Sequence, residues 1–314
     1  PTTDAAREQL TRRLAAEDES IDIIHLDTIW TAEFSDAGWL VDVTSRVEPI
    51  AETLVPAALT STHYREKYWA MPVGTQTALL YYRTDLVKRP PTTWEDLKVL
   101  AAAAQKQRPD ISGYVFQGNQ YEGSTVAAVE LISAAGATVV GDDRETSVVE
   151  EGDGTEHALT YLRGLFADGI TPKVVTTFQE EEARLAFQNG TAVFMRNWPY
   201  AYTLMNTEPA SKVKKKFDVV PLPPFEGRTS ASVLGGQNYG ISSFSRWPDL
   251  AWEAVLCMSD KSAQKANAIS RGNLPTRESL YDDPDVKRAM PYLATSRKSL
   301  ETGVNRPVSP YYGD

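Results

Sequence analysis

Three segments of this chain combine aromatic rings with fixed hydrogen-bonding groups: Asn197-Trp-Pro-Tyr-Ala-Tyr202, Leu234-Gly-Gly-Gln-Asn-Tyr-Gly240 and Arg306-Pro-Val-Ser-Pro-Tyr-Tyr312. An aromatic ring packs on the C–H face of a pyranose, and Asp, Gln, Asn and Arg supply donors and acceptors for its hydroxyls. Glycine lets the backbone approach a ligand closely. Each ring taken alone reads as core packing; several such segments in one chain point to recognition of a polyhydroxy compound. Arg306 lies between Asn305 and Pro307, with Pro310 beyond, so the loop is extended and rigid. Its planar fork of five donors suits vicinal hydroxyls, and a surface ion pair is the competing reading. Asp27 closes the apolar run Ile21-Asp-Ile-Ile-His-Leu26. Its carboxylate is either a fixed hydroxyl acceptor or the cap of a helix starting near Thr28–Trp30.

Residue patterns for catalysis are missing. The chain has no G-x-S-x-G elbow, no G-x-x-x-x-G-K-[ST] loop and no G-x-G-x-x-G turn. His25, His63 and His157 are scattered, outside any H-E-x-x-H. Asp142-Asp143 and Gly152-Asp-Gly154 read as turns, because the twelve-residue calcium loop and its last Glu are missing. Glu180-Glu-Glu182 could supply a glycosidase carboxylate, but acids at a helix start are equally well explained by the helix dipole. The single cysteine, Cys257, excludes an internal disulfide and a thiolate zinc site, and its helical setting predicts a buried, inert thiol. No catalytic residue, metal or cofactor is expected.

The elements that position these groups alternate between helix and short apolar strand, which argues an α/β architecture. Helices are expected over residues 4–17, 124–135, 156–167, 180–188 and 250–258, with Gly136, Gly169 and Gly190 as left-handed caps. A further helix follows the capping box Thr92-Thr-Trp-Glu95. Strands are expected at 21–26, 114–116, 191–195, 217–220 and 239–241, and a long extended stretch from Ala70 to Tyr82 is interrupted at Gly74. The 314 residues suffice for two lobes, and the absence of a linker implies that the chain crosses between them more than once. The net charge of −10 argues against a nucleic-acid partner, and Lys212 with Lys214–Lys216 reads as a solvated loop. No apolar run is long enough to span a membrane. No leader is visible before Thr2-Thr-Asp4, so location cannot be taken from a targeting segment.

The segment Phe187-Gln-Asn-Gly-Thr-Ala-Val-Phe-Met-Arg-Asn-Trp198 resembles the F-x-x-G-x-A-x-[FM]-x-x-x-W pattern of family 1 extracellular solute-binding proteins. Lys67-Tyr-Trp-Ala-Met-Pro-Val73, Leu79-Leu-Tyr-Tyr-Arg-Thr-Asp-Leu86 and Pro90-Pro-Thr-Thr-Trp-Glu95 resemble the same family. Similarity to its trehalose/maltose-binding branch is carried by Leu26-Asp-Thr-Ile-Trp-Thr-Ala-Glu-Phe34, Ala37-Gly-Trp39, Phe116-Gln-Gly-Asn-Gln-Tyr-Glu-Gly123, Arg196-Asn-Trp-Pro-Tyr-Ala-Tyr202, Leu234-Gly-Gly236 and Arg306-Pro-Val-Ser-Pro-Tyr-Tyr312. The resemblance covers essentially the whole chain in order.

That resemblance implies a type II periplasmic-binding-protein-like fold of two α/β lobes, residues 1–76 with 237–282 and residues 77–236 with 283–314. The crossings would lie near Gly74–Leu80, Leu234–Gln237 and Tyr281–Pro284. It implies the substrate-binding component of a carbohydrate ABC importer: a monomer outside the cytoplasm, periplasmic or lipid-anchored, that closes on an α-linked disaccharide such as trehalose or maltose and passes it to the permease. An extracellular glycoside-active enzyme and a sugar receptor for signalling are the alternatives. Implied ligand contacts are Asp27, Gln76, Tyr121, Glu180, Trp198, Tyr200, Gly236, Gln237 and Arg306, with Trp198 stacking, Gly236 contacting through its backbone, and Arg306 reaching in from the second lobe. Two aromatic walls of the branch are replaced, one by Gly74 and one by Gln237. The chain reads as shorter than the family at both ends.

Overall fold

Alternation along Ile23–Asp27 sets the strand β1: Ile24 and Leu26 are buried on one side, while Ile23, His25 and Asp27 take the other. The computed structural model describes residues 3–141, 143 and 146–313; of the expected turn at Asp142-Asp143, Asp142 lies outside them. The described strands continue with β2 (His63–Tyr64), β3 (Lys67–Tyr68), β4 (Ala70–Thr77), β5 (Leu79–Arg83), β6 (Ser112–Val115), β7 (Ala192–Asn197), β8 (Phe217–Pro221), β9 (Ser232–Ile241) and β10 (Gly303–Val304).

The chain divides into two compact units, Pro1–Gln76 with Leu234–Pro291 and Asn305–Asp314, and Thr77–Val233 with Tyr292–Val304. The chain therefore passes between them four times. Residues 234–236, 283–291 and 305–314 fall in the first unit, where the sequence reading puts them in the second. Arg306 thus shares a unit with Asp27. Its guanidinium is seated on the turn after β1, and that bond ties the C-terminal segment to the first unit.

In the first unit, β1 lies antiparallel to β9, with Ile23 opposite Ile241 and Asp27 opposite Gln237. One core gathers Leu14, Ile24, Leu26, Trp30 and Phe34; a second gathers Val47, Met71, Ile241, Trp252 and Val255. The helix Pro248–Met258 turns Ala251, Trp252 and Val255 inward, which leaves Cys257 on its outer face. The thiol is therefore exposed, contrary to the buried cysteine expected from the sequence.

In the second unit the strand order is β6-β7-β5-β8. β5 runs antiparallel to β7 and β8, and β6 runs parallel to β7. Every residue of β7 is buried. The helices Trp94–Gln107, Glu122–Ala134, Gly154–Ala167 and Glu180–Gln188 belong to this unit. Trp94 packs on Tyr114 at 5.8 Å between ring centres, and Tyr161 on Phe225 at 5.2 Å. Gly136, Gly169 and Gly190 all have left-handed backbone.

Two local expectations shift. The helix cap is Thr93, whose hydroxyl accepts from Asp96 N at 3.1 Å, one residue beyond the expected Thr92/Glu95 box. The extended stretch breaks at Ala78 rather than Gly74, where Ala78 N donates to the Ser232 hydroxyl at 2.8 Å instead of to a backbone carbonyl of a paired strand.

Candidate functional site

The residues singled out by sequence separate into two groups, one in each unit. In the second unit, β7 ends in Arg196 and Asn197, and Trp198-Pro199 lead into the helix Tyr200–Thr207. Asn197 shapes this turn: its side chain accepts from Trp198 N at 2.8 Å and donates to Glu180 O at 3.0 Å. Trp198 is half-buried, resting on Val126, Val129 and Val233. The Arg196 guanidinium lies beneath its ring, 4.2 Å from the ring centre.

The three glutamates have three different roles. Glu182 closes a capping box with Gln179, accepting from Gln179 N at 2.9 Å. Glu181 accepts from Arg184 and, at 2.7 Å, from the Tyr200 hydroxyl. Burial raises the Glu181 carboxyl, but the bonds from Arg184 and Tyr200 outweigh it and hold the group below its ordinary value. Glu180 stands beside Tyr121 and Tyr200, whose phenols are pushed up chiefly by burial; Glu180's charge adds to the rise in both, and Glu181's bond and charge add to it in Tyr200. Tyr121 sits in the turn before Glu122–Ala134, and its ring end lies against Gly123: a Cβ there would come within 2.1 Å of the hydroxyl. The second unit therefore gathers Tyr121, Glu180, Trp198 and Tyr200.

The first unit gathers Asp27, Gln76, Gly236, Gln237 and Arg306. Asp27 Oδ1 accepts from Ile29 N and Thr28 Oγ1, both at 3.3 Å, so the residue makes an Asx turn. The helix beyond begins at Trp30 with Ile29 at its cap position, so Asp27 is not that helix's cap. Arg306 Nη2 donates to Asp27 Oδ1 at 3.0 Å and to Thr28 Oγ1 at 2.6 Å. Arg306 is buried, with 6% of its surface exposed, whereas the Asp27 side chain keeps 25%. Thr28, Ser61 and Arg306 line, together with Ile29, Leu234 and Val308, a small cavity of mixed polar and apolar lining, about 20 Å³, room for one water.

Gln237 faces Asp27 across the β1–β9 pair, and Gln76 Nε2 reaches Asn273 Oδ1 at 3.5 Å. Gly236 has φ of 138°, and a Cβ there would lie 2.2 Å from Gly74 O. A Cβ on Gly74 would fall 3.9 Å from Gln237 Oε1. The two positions where aromatic walls are replaced are thus direct neighbours.

Sequence reasoning missed Arg196, Glu130 and Gln117 as a set. Arg196 lies inside a quoted motif, but nothing local marks Glu130 as its partner. It also missed Glu181 as the partner of Tyr200, and Thr28 and Asn273.

No helix among the described residues is long and apolar enough to cross a membrane, and no cluster of His, Cys, Asp and Glu among them could hold a metal.

The family model described as bacterial extracellular solute-binding protein matches residues 1–265. A probable ABC transporter-binding protein of Deinococcus radiodurans is 34% identical over 309 residues, covering 95% of this chain and 72% of that protein. Among solved structures, maltose-bound T. maritima MalE3 superposes with a TM-score of 0.91 at 32% identity, covering 99% of this chain and 80% of that one. An ABC transporter solute-binding protein from Thermotoga lettingae, bound with α-D-tagatose, superposes at 0.87 with 20% identity, again covering 99% and 80%. These likenesses make the fold that of the type II periplasmic sugar-binding proteins.

Proposed function

The chain belongs to the bacterial extracellular solute-binding protein family, and on that premise we propose that it is the substrate-binding component of a carbohydrate ABC importer, acting outside the cytoplasm. The observation that carries the sugar reading is the grouping in the second unit: a half-buried indole packed on a valine cluster, with Asn197 tying its turn to the Glu180 backbone, Tyr200 bonded to Glu181, and Tyr121 beside the Glu180 charge. Such a platform suits a pyranose, with the C–H face on the ring and hydroxyls at the polar edge. Asp27 and Arg306 are the matching acceptor and donor of the first unit.

The sugar we place first is a neutral α-linked gluco-disaccharide, trehalose, then maltose or sucrose. The maltose-bound neighbour at 32% identity supports this class. The tagatose-bound neighbour shows that the fold also takes monosaccharides. Gly74 and Gln237 are adjacent at the two positions where the resemblance to the trehalose/maltose branch implies aromatic rings, so this chain offers an amide there in place of a ring. Capture by closure of the two units, and hand-over to permease subunits, belong to the same proposal.

Hydrolysis is the weaker reading. Glu182 serves as a cap and Glu181 is paired, so the glutamate run leaves one carboxylate where glycosidases use two. Thermal-shift screening followed by calorimetry tests the proposal. We expect one-to-one binding of a disaccharide with no release of monosaccharide, and compaction on binding in small-angle scattering. Binding of peptides or amino acids and of no sugar would overturn it.

A further inference from the structure

We propose that Arg196, locked by Glu130, is the positioning residue that sets the plane of the Trp198 ring; this rests on Trp198 being the sugar platform. Arg196 and Glu130 are 1% and 2% exposed, a depth at which an ion pair is a weak source of stability. The pair is nonetheless fully built. Arg196 Nε donates to Glu130 Oε2 at 2.9 Å and Nη2 to Glu130 Oε1 at 2.7 Å. Nη1 donates to Gln117 Oε1 at 3.0 Å, and Gln117 Nε2 returns a bond to Arg196 O at 3.2 Å. Glu130 Oε1 also accepts from Val233 N at 3.2 Å. All three guanidinium nitrogens are held, so the plane of the fork cannot turn.

The guanidinium carbon lies over the Trp198 ring, 4.2 Å from its centre. Val126 and Val129, from the same helix as Glu130, and Val233, which bonds Glu130, pack against the indole. One helix therefore supplies both the carboxylate that fixes the guanidinium and the apolar shelf that fixes the ring. An indole on a flat valine shelf alone could slide; a desolvated cation at its centre penalises that motion. The buried ion pair gives the platform a single orientation before any ligand arrives, which lowers the ordering cost of binding.

The test separates orientation from stability. Removing Arg196 alone strands a buried carboxylate, so the main variant is the double Arg196→Met, Glu130→Leu, which keeps volume and leaves no unpaired charge. The full chain carries seven tryptophans, and labelling with 5-fluorotryptophan gives a fluorine resonance for each, Trp198 being assigned by Trp198→Phe. We expect the double variant to stay folded but to unfold at a lower temperature, because Val233 N and Gln117 lose a buried partner, with the Trp198 resonance shifted or broadened and the other six in place. Maltose or trehalose affinity should fall about tenfold, and that fall should vanish in a Trp198→Ala background. Arg196→Lys, which keeps a cation but not the fork, should give an intermediate Trp198 signal, and it serves as the test if the double variant does not fold. An unchanged Trp198 resonance in a folded variant overturns the proposal. If no sugar binds the wild type, the platform reading fails while the resonance still decides whether Arg196 orients the ring.

Discussion

Arg306 Nη2 lies 3.0 Å from Asp27 Oδ1, joining residues 279 positions apart in the chain within one unit. The consequence is pre-orientation. The guanidinium is held by Asp27 and Thr28 before a ligand arrives, and the partly exposed carboxylate is held in turn. Charge-assisted bonds of this kind are short and about twice as strong as neutral ones.

Arg306→Lys is expected to weaken sugar binding at least tenfold, because an ammonium cannot hold Asp27 and Thr28 while also serving a hydroxyl. Arg306→Ala should in addition lower stability by about 1.5–3 kcal/mol, the usual worth of a bond to a charged group. Calorimetry and urea unfolding on the two variants measure the two effects. Equal sugar affinity in a folded Arg306→Lys protein would make the residue purely structural.

Trp198→Ala should cost about 2–4 kcal/mol of sugar affinity, the range of a central aromatic anchor. Trp198→Phe should recover part of it, since a smaller ring still offers a face. An alanine variant that folds and binds as tightly as wild type would take Trp198 out of the site.

Gly236→Ala should be far more damaging than Gly38→Ala. Both glycines have positive φ, 138° and 74°, so both substitutions strain the backbone by about 1–3 kcal/mol. At Gly38 the added Cβ meets nothing within 4 Å, whereas at Gly236 it lies 2.2 Å from the Gly74 carbonyl and β4 must give way. The difference between their urea midpoints reports this close approach, and equal midpoints would contradict it.

Glu181 should make stability depend on acid. Its folded carboxyl lies below the ordinary 4.5, with Arg184 and Tyr200 bonds outweighing burial. A depressed carboxyl stabilises the fold above its unfolded value and ceases to do so as pH falls through the folded one. Wild type and Glu181→Gln should therefore differ in melting temperature at pH 7 and converge below pH 4.5. A gap that persists unchanged to pH 3 would mean that the carboxylate's charge plays no part.

Much of this protein was legible without coordinates. The strand β1, the helix Glu180–Gln188 and the turn into β7 follow from alternation, capping residues and Gly190, all decided by neighbours within a few residues. The motifs around Trp198 and Arg306 likewise stand out because residue type and local order carry them. Tertiary structure decided which groups meet. Three adjacent glutamates look alike in sequence, yet one caps a helix, one binds Arg184 and Tyr200, and one stands beside Tyr121. Arg306 belongs with Asp27 rather than opposite it, and Cys257 is exposed because the helix Pro248–Met258 turns its other face inward. Glu130 became the partner of Arg196 across 66 residues. The reason is range: capping and alternation act along the chain, whereas an ion pair forms only where packing brings distant side chains within about 3 Å, and one sequence is compatible with many pairings until the cores are closed.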